Sequence, residues 1–264
     1  MKRVLLPLWA YRYFVLSSIR TEFRSRFARS KLGGLWMILN PLAMVLIYAL
    51  ILSQIMSAKL PGITTRYAYP IYLLSGVIGW TLFSEVLGRC LNIFIDNGNL
   101  LKKMLFPKLA LPLIVIGSGL VNFVLMFLAM FIVFGFLGHL PFHALHWIPL
   151  LVVITLGLAV GIGLFCGVLN VFMRDVGQIM NVVLQFWFWL TPIVYMLTIV
   201  PTKYIWLIKL NPMTGLVMGY HNVLLYNKAP DLTELIYPTF FAVFSLILAV
   251  VIFRKASEEM ADVL

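Results

Sequence analysis

Three groups of residues have types and spacings that invite chemistry. "LNVFMRDVGQ", residues 169–178, sets Arg174 beside Asp175 within a run from Ile148 to Val200 that is otherwise almost wholly apolar, a few amides apart. Glu85 and Arg89 stand in i, i+4 relation, an ion pair on one helix face. His139, His143 and His146 have i, i+4, i+7 spacing, the way a helix would offer imidazoles to a metal. Each group also has a plainer reading. Pro141 interrupts the histidine segment and no acidic or Cys ligand lies near, so no metal site is expected. A proton relay through Glu85 and Arg89 would need further intramembrane carboxylates, which the sequence lacks, so the two are expected to be a charge pair near the inner interface. No catalytic set emerges. No GxxxxGK[ST] loop occurs anywhere, so the chain has no recognisable phosphate cradle of its own.

Aromatic residues, 14% of the chain, offer a different chemistry. Phe186, Trp187, Trp189 and Tyr195 crowd one apolar segment, Trp36 and Tyr48 another, and Tyr69, Tyr72 and Trp80 a third. Such rings stack on sugars, so a path lined by them suits a carbohydrate polymer. They equally form belts at the membrane interfaces or pack against lipid.

The elements that must hold these residues follow from composition. The 264 residues are 62% hydrophobic and only 11% charged, against roughly 45–50% and about 25% in soluble domains. The solvent is therefore a bilayer. Long continuous apolar runs, rather than short alternating ones, exclude a β-barrel and make this an all-α polytopic membrane protein. Six transmembrane helices are expected at 35–57, 69–89, 109–137, 148–171, 179–197 and 235–253, each near the ~20 residues that cross the hydrocarbon. Of the 20 Lys/Arg, 15 fall on the side that holds both termini and loop 90–108, which places that side in the cytoplasm. The net charge of +11 expresses this asymmetry, so nucleic acid is not expected as a partner. An Arg or Asp at mid-bilayer costs roughly 2.5–3.5 kcal/mol on insertion scales, so Arg174–Asp175 belongs at a cytoplasmic turn between two spans.

Residues 1–34 form a cytoplasmic segment and 35–264 the membrane domain. Pro7 and Arg12 break the N-terminal apolar stretch and no small-residue cleavage site follows, so no cleaved signal peptide is expected. Within Tyr11–Lys31, Val15, Ile19, Phe23 and Phe27 recur every four residues among Arg12, Arg20, Arg24, Arg26, Arg29 and Lys31. That is an N-terminal amphipathic helix for the lipid surface, though Arg12 and Arg26 project into its apolar arc. Loop 90–108 is the longest cytoplasmic connection, and a short helix from Asn99 to Lys103 within it could dock a partner or simply lie in solvent. Gly157, Gly161, Gly163 and Gly167 supply a close helix-packing face. Cys90 and Cys166 read as small packing residues. Residues 198–230 are too polar and Pro-broken to span yet too apolar for a solvated loop, and read as short re-entrant extracytoplasmic helices, a possible lid.

Four stretches, "FARSKLGGLWMILNP", "NGNLLKKMLFPKLALP", "LNVFMRDVGQI" and "LNPMTGLVMGYHNVLL", occur in an order that resembles the transmembrane subunit of ABC-2 type exporters of the O-antigen, capsule and teichoic-acid group. With the six-span layout the resemblance covers nearly the whole chain. One departure is His221, where the family pattern carries arginine. The resemblance implies a homodimer in the bacterial inner membrane above two copies of a separate ABC ATPase, which would hold the ATP and Mg; this chain itself would carry no cofactor. It implies that Tyr11–Ser30 is an interface helix, and that Asn97, Gly98, Asn99, Leu100, Lys102, Lys103, Phe106 and Pro107 form the helix that couples to the ATPase. Arg174 and Asp175 would be a second ATPase contact or an intrasubunit clasp. Trp36, Tyr48, Phe186, Trp187, Trp189 and Tyr195 would line the path of a lipid-linked polysaccharide moving from cytoplasm to periplasm. Teichoic acid, capsule, or a drug or lipid are the neighbouring substrate readings. An ion-coupled transporter predicts intramembrane acids and repeated halves, and a membrane glycosyltransferase predicts carboxylate clusters; neither pattern is present.

Overall fold

The computed structural model describes residues 11–27, 36, 39, 43, 47, 68–98, 110–256 and 259–260. Eight α-helices are traced in full among them: α1 (Arg12–Phe27), α2 (Ala68–Asp96), α3 (Ala110–Phe136), α4 (Ile148–Phe172), α5 (Asp175–Leu190), α6 (Thr202–Lys209), α7 (Pro212–Leu224) and α8 (Leu232–Ala256). Among the described residues, four helical stretches, 68–96, 110–136, 145–172 and 232–256, are long and apolar enough to cross a membrane. The expected first span lies outside the described residues, save Trp36, Leu39, Ala43 and Ile47.

α2 and α4 are the centre. Both are buried along most of their length, with α3 against α2 and α8 against the far side of α4. The glycines of α4 explain this layering. A Cβ on Gly163 would meet the Leu87 carbonyl at 2.9 Å, and one on Gly167 the Cys90 carbonyl at 2.5 Å, so these two admit α2. Gly157 and Gly161 face Ala242, Ser245 and Leu246 of α8. Small residues thus bring three backbones together where no hydrophobic drive separates helix from lipid. The outer faces of α3 (Val124, Leu128, Ile132) and α8 (Phe240, Val243, Ile247) remain exposed and apolar, as lipid-facing surfaces must.

The second and fifth expected spans need correction. Loop 90–108 does not begin at Cys90, because α2 continues to Asp96. Cys90, Leu91, Ile93 and Phe94 are buried there, and Phe94 stacks on Phe253 at 5.4 Å, so packing prolongs the helix. Asn97 then ends it by donating from Nδ2 to the Ile93 carbonyl at 2.8 Å. The fifth element starts earlier and stops sooner than 179–197. α5 has 16 residues, about 24 Å of helix. Asp175 opens it, where a carboxylate suits the positive helix end. It stops at Thr191 because Pro192 disfavours helical backbone in the residue before it.

Residues 198–230 do form short helices, but α7 is no superficial lid. Of its side chains, Met213, Leu216, Val217, Tyr220, His221, Val223 and Leu224 are all fully buried, wedged against α2, α4 and α8. Asn211 starts it as a capping residue, its Oδ1 accepting from the Met213 N–H at 2.9 Å, with Pro212 at the first helical position. Gly215 allows the closest approach, facing the Glu234 carbonyl of α8, which Pro238 four residues on cannot bond.

Candidate functional site

Polar residues gather at the two ends of the central pair. At the Asp96 end, α1 lies on α3 with Ile19 against Gly117. Its inward face is Val15, Ile19, Glu22 and Phe23, while Tyr13, Leu16, Arg20 and Arg24 are exposed. Glu22 is the one acid in a basic helix, and it points into the bundle. Its Oε2 accepts from Arg89 Nη2 of α2 at 2.7 Å and from Ser118 Oγ of α3 at 2.7 Å. Arg89 Nη1 lies 3.9 Å from Glu85 Oε1, and Glu85 in turn accepts from Asn122 of α3. The expected Glu85–Arg89 pair is therefore part of a larger cluster that joins three helices. Arg89 is satisfied mainly by Glu22, 67 residues away in sequence. Sequence periodicity carried a usable signal for Glu22, an acid in register with the apolar face of α1.

Arg174 and Asp175 are both exposed at the α4–α5 turn and make no side-chain bond among the described residues. The clasp that shapes this turn is a neighbour, Asn170. Its Oδ1 accepts the Gly177 N–H at 2.9 Å, while Nδ2 donates to the Leu91 carbonyl at 3.1 Å and to Asn92 Oδ1 at 3.3 Å. Asn97 and Gly98 lie at the end of α2, and Asn99, Leu100, Lys102, Lys103, Phe106 and Pro107 lie outside the described residues.

At the opposite end, the non-helical residues after α5 are held by side chains from α2 and the α7 cap. Tyr69 Oη donates to the Val194 carbonyl at 2.9 Å, and Tyr72 Oη bridges the Pro192 and Tyr195 carbonyls at 2.9 and 2.7 Å. The Tyr72 ring stacks on His221, centroids 3.9 Å apart. Asn211 ties α5 to α7: Trp187 Nε1 donates to its Oδ1 at 2.6 Å, and its Nδ2 donates to Thr191 Oγ1 at 2.8 Å. Trp187 also packs edge-on against Phe83 at 5.1 Å.

The aromatic residues thus separate by position. Trp187 turns inward with its N–H engaged, and Tyr195 is half-buried with its carbonyl held. Phe186 and Trp189 project outward, 68% and 65% exposed, and Trp36 is exposed at 38%. Tyr48 lies outside the described residues. Of the histidines, His139 holds the Leu224 carbonyl at 2.9 Å, a bond that fastens the loop after α3 to the end of α7, and His146 packs on Trp147. Outside the spans, Asp231 caps α8 by accepting from the Thr233 N–H and Oγ1 at 2.9 and 2.7 Å; these bonds hold its carboxyl below the ordinary carboxylate range.

Four spanning helices locked together by small residues, with hydrogen-bonded clasps at both ends, define a multi-pass helical membrane protein. The sequence profile described as ABC-2 type transporter matches residues 13–225, and the chain belongs to that family. It is 29% identical over 264 residues, 99% of both chains, to the O-antigen export system permease protein RfbA of Myxococcus xanthus. A protein of the same name from Klebsiella pneumoniae is 26% identical over 246 residues, 92% of each chain. The polysialic acid transport protein KpsM of Escherichia coli is 23% identical over 243 residues, 90% of this chain and 92% of the other.

Proposed function

We propose that this chain is the membrane-spanning permease subunit of an ATP-driven exporter that carries a lipid-linked polysaccharide of O-antigen type from cytoplasm to periplasm. The observation that carries this reading is similarity over the whole chain to proteins named as O-antigen export permeases. The weaker similarity to the polysialic acid transport protein keeps a polymer of that kind as the second substrate reading. The subunit works as a homodimer in the inner membrane, with both termini cytoplasmic. Two copies of a separate ABC ATPase bind the ATP and Mg, a division of labour that fits the lack of a GxxxxGK[ST] loop in this sequence. Two further spans, 35–57 and a crossing built on α5, complete the six.

In this reading the end of α2, Asn97 and Gly98, leads into the segment that meets the ATPase, through Pro107. Arg174 and Asp175 form a second contact on the same side, which their exposure supports. Trp36, Tyr48, Phe186 and Trp189 line the path; Trp187 and Tyr195 hold the helix that presents it. Deleting the gene from a producing strain tests the reading. Loss of surface polysaccharide with intracellular accumulation of the lipid-linked polymer, both restored by the intact gene, is the expected result. Normal surface polymer, or no ATPase recovered with the tagged protein from membranes, overturns it.

A further inference from the structure

α5 sorts its side chains into three arcs at about 100° per residue. Val176, Gly177, Met180, Leu184, Trp187 and Phe188 are partly buried and face the bundle. Ile179, Val182, Val183, Phe186 and Leu190 form an exposed apolar arc. Between these arcs stand Gln178, Asn181 and Gln185, ending at Trp189, all exposed. None of the three carboxamides has a hydrogen-bond partner among the described residues. The other amides within the long helices are all engaged. Asn92 donates to the Gly88 carbonyl, Asn122 to Glu85, and Asn170 to the Leu91 carbonyl.

Hydrocarbon cannot satisfy an amide, so polar side chains at membrane depth face a water-filled cavity or a partner. The exposed faces of α3 and α8 obey this rule by staying apolar. With α5 as a crossing, as the export reading has it, α5 breaks this rule on one arc only and keeps its neighbouring arc free of amides. We propose that Gln178, Asn181 and Gln185 form a carboxamide track that binds the hydroxyl-rich polymer as it passes. This rests on the export reading above and names the contact chemistry of its path. A carboxamide both donates and accepts, as hydroxyl groups do. No charged side chain lies on α5 beyond Asp175, so the track holds no ion and favours an uncharged ligand. The three amides extend along about 10 Å of helix, enough to engage more than one sugar ring. Trp189 adds an exposed ring face at the end of the same arc. Neutral contacts of this kind are individually weak, which suits a polymer that must slide rather than stay.

Single cysteines at 178, 181 and 185, and at 179, 183 and 186, test this in membranes that hold the full complex with its ATPase. The probe is a small hydrophilic methanethiosulfonate reagent, and the native Cys90 and Cys166 are buried. Reaction needs a hydrated thiolate, so the amide positions should react at least about ten-fold faster, the equivalent of one pKa unit. Labelling at 181 and 185 should slow when the cell is making the polymer. Equal rates on both arcs overturn the proposal. So does efficient disulfide formation between two copies at 185 with no reagent access, which would assign the arc to a second copy of the chain. The triple variant Q178L/N181L/Q185L should cut surface polymer several-fold while the ATPase is still recovered with the tagged chain in the usual amount. Normal export by that variant, where deletion of the chain abolishes export, sinks the track and leaves the export reading standing. Normal export after deletion sinks the export reading itself. Labelling uses single substitutions only, so it decides the matter even if the triple variant fails to assemble.

Discussion

Replacing Glu22 tests whether α1 is fastened to the spans or merely rests on the lipid. The Glu22 and Arg89 side chains are 27% and 24% exposed with a 2.7 Å contact, so the pair lies between the two limiting cases for ion pairs. Losing one partner of a buried pair costs about 3–5 kcal/mol, whereas exposed pairs contribute about 0–1 kcal/mol. With roughly a quarter exposure, and a second bond from Ser118 also lost, Glu22→Ala should cost about 2 kcal/mol. Glu22→Gln keeps an oxygen that accepts from Arg89 and should cost about 1 kcal/mol. Arg89 cannot turn to Glu85 for compensation without moving, since that contact is already 3.9 Å and Glu85 is committed to Asn122.

Docking of α1 can be read directly, because Ile19 lies against Gly117 of α3. The pair I19C/G117C should form a disulfide readily in the parent chain, and the yield should fall in Glu22→Ala. A double-mutant cycle of Glu22→Ala with Arg89→Ala, followed by thermal unfolding of the purified complex, should then show coupling of about 1–2 kcal/mol. Additive effects within about 0.5 kcal/mol, or an unchanged disulfide yield, would refute the argument that this ion pair holds α1 in place.

Three further outcomes follow from the geometry. Gly167→Val places a Cβ 2.5 Å from the Cys90 carbonyl and should destabilise the complex by about 1–3 kcal/mol in thermal unfolding, while Gly88→Ala, with nothing within 4 Å, should not. Trp187→Phe keeps the contact with Phe83 but loses the bond to Asn211, at about 1 kcal/mol; Trp187→Ala should cost about 3–4 kcal/mol, read by the same melts. Asp231 has a folded pKa below its unfolded value, so its capping contribution is present above the unfolded carboxylate pKa and fades as pH falls through the depressed one. Asp231→Asn should therefore flatten the acid side of the stability profile, and an unchanged profile would remove Asp231 from the set of acid-sensitive groups.

What could be read from the sequence was whatever depends on composition and period. α3, α4 and α8 run within three residues of the expected spans, because long apolar runs in a bilayer have one stable conformation. The closely spaced glycines of α4 also announced themselves, although the single packing face they implied is two, one for α2 and one for α8. Features set by tertiary contact did not show. The extra turns of α2 depend on Phe94 meeting Phe253, 159 positions along the chain from it. α7 reads as an outer segment because Pro212, His221 and Asn222 make it look polar; its burial depends on the gap left between α2, α4 and α8. Asn170 sat four residues before the conspicuous Arg174–Asp175 pair and does the bonding at that turn. The charged pair is exposed, whereas the amide is the residue with buried partners.

The two clasps are connected by one element. From Tyr72 to Arg89 α2 runs unbroken for about 25 Å, and its side chains between those points are mostly buried. A close-packed rod of this kind does not bend to absorb a displacement at one end. α5 is attached differently: none of its residues is fully buried, and it is held at its start by Asn170 and at its end by Asn211. The segment that follows it, Pro192 to Tyr195, hangs on Tyr69 and Tyr72 of α2. Any shift of α2 along its axis must therefore carry the end of α5 with it or break those tyrosine hydrogen bonds. Breaking them inside the protein leaves the carbonyls of residues 192, 194 and 195 without partners, which costs more than moving a loosely packed helix. The cheaper response is for α5 to move. The helix that presents Phe186, Trp189 and the three free carboxamides is thus the loosely packed one, tied to α2 at its far end through Tyr69 and Tyr72.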